Sequence, residues 1–575
     1  MINLKHLIKF IPIVLIIGII IYIFSDYLNK ENIDSDDKKT NETNNITIDD
    51  DYDTSYNKNN NIDLDNLTCT NSIQKNNNIF TITNSGDYYI SGTGNAQIVI
   101  DANDNNIVHL ILDSANLTYD YSPIYVKNAK KVIITVLGEN NISDKDNYTS
   151  DDTDATIYSK DDLVINGDGK LNINGNYQNG IVSKDGLKII NTDIKVISIN
   201  TGIKGKDYVY LENTTIDITS SGDGIKSTND SDETQGFITI KGGTYKINSE
   251  TDGIQAETIL YIENGTFDIT SGNGSQNSSK DNSKWGSWGS NDDNKSAKGL
   301  KAGESIIIDN GEFNINSSDD SIHSNDEIII KNEKFVISSG DDGIHADNNL
   351  TINDGDIDIN KSYEGIEATV ININGGNINI NSSDDGINVA GGDGSSYDRP
   401  GSNNFSGTTG TLKINGGNIV VNASGDGLDA NGNIYINGGN TIIYGPTDNG
   451  NGALDYDGVL EINDGSLIAS GSSGMAQMPG EDSSINSVMI NFNQTITSDK
   501  IVTIKNSSDE EIINYKADKS YTNLVISNDK LSNGDYTIYI DDEEYDTFTI
   551  SSITTKVGNT QNANMMTRDD MRRPR

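Results

Sequence analysis

Positive charge, cysteine and histidine are all scarce in this chain of 575 residues: 41 Lys and Arg stand against 86 Asp and Glu, with one Cys and four His. A lone thiol, Cys69, cannot form an internal disulfide, a cysteine-based zinc site or an iron–sulfur cluster, and four imidazoles leave little room for histidine metal chemistry. Composition therefore directs any metal to oxygen ligands. The formal charge of -45 excludes work on a phosphate backbone or an anionic membrane surface, since both would repel such a polyanion. Hydrophobic residues reach only 34%, which predicts disorder in so charged a chain unless they are arranged very regularly.

Residues 10–24 form an unbroken apolar run, with Lys5, His6 and Lys9 before it and Ser25 and Asp26 after it. That asymmetry predicts the N-terminus inside and the remainder outside. Residues 1–26 read as an uncleaved membrane anchor, or as a signal peptide if cleaved, so the protein is expected outside the cell, held at its surface or secreted. Residues 27–62, polar and acidic, read as a solvated tether.

A repeat resolves the low hydrophobicity. A motif of small or acidic residue, Gly, then Ile or Leu returns with its aliphatic member at Ile157, Ile181, Ile203, Ile225, Ile254, Leu300, Ile322, Ile344, Ile366, Ile387, Leu428 and Leu454, five of the eleven steps being 22 residues and one 21. Between successive beats fall turn pairs such as Asn264-Gly265, Asn310-Gly311, Gly375-Gly376 and Asp464-Gly465, each flanked by alternating runs. A unit of this length suits one coil of a parallel β-helix. With degenerate coils before residue 150, the spacing predicts about 14 coils and a rod roughly 65 Å long over residues 63–484. A narrow rod needs only one inward aliphatic row per strand. Asn353, Asn374, Asn415, Asn437 and Asn463 recur at one turn position and predict a hydrogen-bonded ladder along the axis. Long insertions interrupt two coils, at residues 271–297 and 391–409. Residues 485–552 read as a small antiparallel β domain covering the last coil, and residues 553–575 as a disordered tail.

A constant period stacks equivalent residues. The position before the turn Gly reads Asp223, Asp252, Lys298, Asp320, Asp342, Glu364, Asp385 and Asp426, often doubled by Asp319, Asp341 or Asp384. Two carboxylates about 5 Å apart repel by about 0.8 kcal/mol in water and about 3 kcal/mol at an effective dielectric near 20. Such a column calls for cations between coils, and Ca2+ prefers this hard-oxygen setting; Asp341, Asp342, Asp384, Asp385, Asp426 and Asp429 are the candidate ligands. The alternative is that Asp before Gly is turn chemistry facing solvent. The residue after the aliphatic member runs from Lys204, Lys226 and Lys301, through His323 and His345, to Glu367, Asp429 and Asp455. The three lysines are candidates to bind uronate carboxylates, or else they balance nearby acids. The histidines, one coil apart, lack an evident third metal ligand. Trp285 and Trp288, in a Gly- and Ser-rich insertion, are candidates for sugar stacking, or else pack on the rod.

The opening segment Asn84-Ser85-Gly86-Asp87-Tyr88-Tyr89-Ile90-Ser91-Gly92, the Asp-Gly-Ile coils and the closing segment Leu531-Ser532-Asn533-Gly534-Asp535-Tyr536-Thr537-Ile538-Tyr539 together resemble a family of exported bacterial carbohydrate-binding domain-containing proteins. The resemblance covers about residues 65 to 550. It implies an all-β, right-handed single-stranded parallel β-helix similar to calcium-dependent pectate lyases, with bound Ca2+ and a polysaccharide partner such as cellulose or a polygalacturonate-like chain. A monomer is expected, touching the membrane through its N-terminal helix only and binding no nucleic acid. Those lyases carry an Asp-Asp-Gly-x-Asp calcium motif and a Lys base. Asp426-Gly427-Leu428-Asp429 matches with Gly425 for the first Asp, and Asp384-Asp385-Gly386-Ile387-Asn388 matches with Asn for the last. The coil after the better match offers Asp448, Asp455 and Asp457 but no Lys, so the base is missing there. Calcium-assisted polysaccharide binding, β-elimination by a lyase, and a passive adhesin or spacer rod are the three functions this leaves.

Overall fold

A computed structural model describes residues 54–103, 105–148, 152–278, 296–389 and 410–558. Among the described residues, 44 strands join one continuous sheet, and almost all of its pairings are parallel. The chain is an all-β solenoid. Successive rungs stack into three ladders, and in several rungs the second and third run on as one strand, as in Tyr208–Ser220.

The first ladder runs through the predicted aliphatic positions. Ile157 pairs with Ile181, Ile181 with Ile203, Ile203 with Ile225, Ile225 with Ile254 and Ile254 with Leu300. The row continues through Ile322, Ile344, Ile366, Ile387 and Leu428 to Leu454. Each of these side chains is buried in a single core. Most strands in the row, such as Ile203–Gly205 or Leu300–Ala302, bury their outer residues and leave the middle one partly exposed. Extended backbone alternates faces, so one core residue per side is enough. Gly fills the place before the aliphatic residue for lack of room: a Cβ on Gly365 would lie 2.3 Å from the carbonyl oxygen of Gly386 in the next rung. The turn pairs also behave as predicted, their second glycines Gly311, Gly376 and Gly465 taking φ of 143°, 92° and 84°.

The asparagine row is a hydrogen-bonded chain. Asn463 Nδ2 donates to Asn437 Oδ1 at 3.0 Å, and Asn437, Asn415 and Asn374 each donate to the preceding Oδ1 at 2.9 Å. A parallel row runs from Asn440 through Asn418 and Asn377 to Asp356. Asn415→Ala removes a donor and an acceptor from an exposed row, and its denaturation midpoint should fall by an amount equivalent to about 1 kcal/mol. The sequence reading did not find a stack inside the core, where Tyr245, Phe267, Phe313 and Phe335 lie ring on ring at 4.8, 4.6 and 4.6 Å.

Among the described residues the first strand is Asn60–Asp63, already paired in parallel with Gly86–Asn95, so the solenoid reaches into the segment read as tether. At the other end Tyr521–Ser527 lies antiparallel on Ser466–Gly471, the last rung of its ladder. Glu511–Tyr515, Val502–Asn506, Gly534–Ile540 and Glu543–Ile550 form a separate antiparallel sheet in that order. Thr554–Gly558, read as disordered tail, is a strand parallel to Ser487–Ile496, held by the buried Val557. Residues 1–26, most of the tether, Trp285, Trp288 and most of both insertions lie outside the described residues.

Candidate functional site

The first ladder carries one outward side chain per rung, and the register places them in a file. From Tyr125 and Tyr158 it passes Val182, Lys204, Lys226, Gln255, Lys301, His323, His345, Glu367, Asn388 and Asp429 to Asp455. The acids that precede the turn glycine stand beside it, because the Asp-Gly-Ile-x spacing returns residue i+3 to the same face. Two columns that were distinct in sequence therefore form one face.

Each candidate lysine meets a carboxylate. Lys226 Nζ is 2.8 Å from Asp223, Lys301 is 3.4 Å from Asp252, and Lys204 is 3.8 Å from Asp154. Burial pushes the Lys204 ammonium down from its ordinary value, with Asp154 opposing. Lys298, which interrupts the acid column, lies between Asp319 at 3.0 Å and Asp320 at 2.5 Å. Burial alone would raise Asp320, but Lys298 and the imidazoles of His323 and His345 outweigh it and hold its carboxyl well below the usual carboxylate range.

The six acids proposed as ligands fall into separate groups. Asp341 joins Asp319 and Asp320, while Asp342 joins His345 and Glu367. Asp385, Asp426 and Asp429 come together as an all-carboxylate group, and the charge of Asp384 acts on all three. No lysine or arginine pairs with this last group among the described residues. Burial first, and the neighbouring carboxylates next, push Asp385 up to about 8, Asp429 to about 7 and Asp426 to about 6. Backbone tightens the group: the N–H of Asp426 donates to Asp385 Oδ1 at 2.6 Å, and that of Gly452 donates to Asp426 Oδ1 at 2.5 Å. Gly425 replaces the first acid of the sequence motif because a Cβ there would lie 2.3 Å from Asp385 Oδ1 and 2.5 Å from Asp384 Oδ1. Asn388, only 7% exposed, donates from Nδ2 to Glu364 at 2.6 Å and leaves Oδ1 buried without a hydrogen bond. Carboxylates with a spare amide oxygen fit a hard divalent cation.

A profile of the family described as "Carbohydrate-binding domain-containing protein" matches residues 76–343 and 341–386. A carbohydrate-binding domain-containing protein of Acetivibrio thermocellus is 40% identical over 124 residues, which are 20% of this chain and 43% of that protein. The chain thus spans less than half the length of this relative. A solved structure, a polysaccharide lyase-like protein from C. thermocellum as a gadolinium derivative, aligns with a TM-score of 0.34 at 25% identity, over 55% of this chain and 95% of that one. Because the family profile spans more than half of the sequence, the chain belongs to the family of carbohydrate-binding domain-containing proteins.

Proposed function

We propose that this protein binds an acidic or plant cell-wall polysaccharide outside the cell, with Ca2+ held at the Asp384, Asp385, Asp426 and Asp429 end of the file. The observation that supports this reading is the graded file itself: a registered row that is basic at Lys204 and Lys226 and ends in carboxylates that pair with no lysine or arginine among the described residues. Such a row suits a linear polymer. The ion-paired lysines would exchange their Asp partners for uronate carboxylates, and calcium at the acidic end would join protein carboxylates to those of the sugar. The apolar run over residues 10–24 supports attachment at the cell surface. Binding is favoured over β-elimination because Lys226 and Lys301 are engaged by Asp223 and Asp252, rungs away from the all-carboxylate group.

The protein should be retained on immobilised polygalacturonate, with cellulose as the second ligand, and should elute early when calcium is chelated. Retention no greater than that of an inert protein overturns the reading. Trp285→Ala with Trp288→Ala should weaken retention if the insertion carries a sugar platform. No unsaturated uronate absorbance should develop with calcium present; its appearance would make the protein a lyase.

A further inference from the structure

The middle of the same file holds a group of different chemistry. His345 Nδ1 faces three carboxylate oxygens at once: Asp342 Oδ2 at 3.3 Å, Glu367 Oε2 at 3.6 Å and Asp320 Oδ2 at 3.9 Å. His323, one rung before it, sets its own Nδ1 2.9 Å from the same Asp320 oxygen, with the two ring centroids 4.9 Å apart. Asp320 and Asp342 are buried, at 3% and 4% exposure. Lys298 Nζ already donates to that Asp320 oxygen at 2.5 Å, which leaves one N–H of His345 to serve both Asp342 and Glu367, whereas a divalent ion beside the ring satisfies the two together.

The spacing matches a particular kind of ion. Donors about 2.1 Å from a tetrahedral metal lie about 3.4 Å from one another, near the 3.3 and 3.6 Å found around His345 Nδ1. The other ring nitrogen of His345 lies 3.5 Å from Asp347 Oδ1, the outer carboxylate that commonly fixes a metal-bound imidazole. An imidazole between carboxylates favours a borderline transition ion over calcium, which prefers oxygen alone.

We infer that His345, Asp342 and Glu367 form a binding site for a divalent transition metal of the zinc and cobalt class, with Asp320 and His323 of the neighbouring rung completing its surroundings. The site is independent of the calcium reading and shares no ligand with the Asp385, Asp426 and Asp429 group. It departs from the composition argument, which left imidazole little room, because the fold brings a histidine and acids from successive rungs to one point.

Full-length protein, stripped of metals and returned to excess calcium, is titrated with Co2+. The expected result is one Co2+ per chain with the visible absorption of a four-coordinate ion, displaced by Zn2+, and nitrogen in the first shell by X-ray absorption. His345→Ala and Glu367→Gln should each weaken binding at least tenfold, while Asp429→Asn leaves the spectrum unchanged. Should His345→Ala fail to fold, Glu367→Gln and the nitrogen shell of the wild type decide. Absence of Co2+ binding in calcium, a nitrogen-free shell, or loss of the spectrum in Asp429→Asn rather than Glu367→Gln overturns the inference. Loss of calcium binding alone would instead sink the calcium reading and leave this site standing.

Discussion

Near pH 8 the protein freed of divalent ions should melt several degrees below the same protein in millimolar calcium, and the gap should shrink as the pH is lowered toward 4. Asp385, Asp429 and Asp426 rise from 3.8 to about 8, 7 and 6 in the folded chain. Over that interval the folded state keeps protons that the unfolded state has released. The stability these groups contribute is therefore complete below about pH 4 and is lost as the pH climbs through their folded values. Calcium takes the same carboxylates ionised and opposes that loss, contributing about 2.7 kcal/mol at a hundredfold excess over its dissociation constant. Asp429→Asn separates the two effects by sign. In chelator at pH 8 it should match or exceed the wild type, since it removes a repelling charge, and in calcium it should fall below it. Thermal melts of both proteins under both conditions test this, and a variant less stable than the wild type in chelator would show that repulsion is not the governing term.

Phe313→Ala should cost about 3–5 kcal/mol, the usual range for emptying a buried aromatic position. Phe313 is 2% exposed and has a ring on either side, Phe267 and Phe335, each at 4.6 Å. Neither neighbour can close the gap, because each is fixed to its own rung by the parallel pairing Phe267↔Phe313↔Phe335. Phe313→Leu, which keeps most of the volume, should lose much less. Equal midpoints for the alanine variant and the wild type in urea would contradict the packing described here.

The first ladder was legible in sequence because a narrow core asks one aliphatic residue of each rung and a Gly where the next backbone passes. From Ile157 to Leu454 the aliphatic residue recurs in every rung, with Gly before it in nine of the twelve. The asparagine row was legible for the same reason. The aromatic stack was missed, although Tyr245, Phe267, Phe313 and Phe335 follow the same spacing, including the step lengthened by the insertion after residue 271. Attention to the period of bulky residues would have revealed it. The candidate site was legible only as columns. The period placed Glu367 one rung after His345, but strict strand alternation puts Asp342 and His345, three apart, on opposite sides, and only the turn at Gly343 brings them to one face. Asn388 looked like a missing ligand, yet it keeps a buried amide oxygen beside the acids.

The rung period also explains why two rungs tolerate such long insertions. Bringing a strand onto its neighbour closes a chain segment of 22 residues whether the rod is short or long, so each rung meets the same entropic cost. Doubling that segment raises the cost by only about 0.6 kcal/mol. The steps from Ile254 to Leu300 and from Ile387 to Leu428, 46 and 41 residues, are close to such doublings, and the pairing across each keeps its register. Loops can thus be lengthened, exchanged or lost between rungs with little penalty to the rod that carries them, leaving ligand preference free to change while the ladders stay as they are.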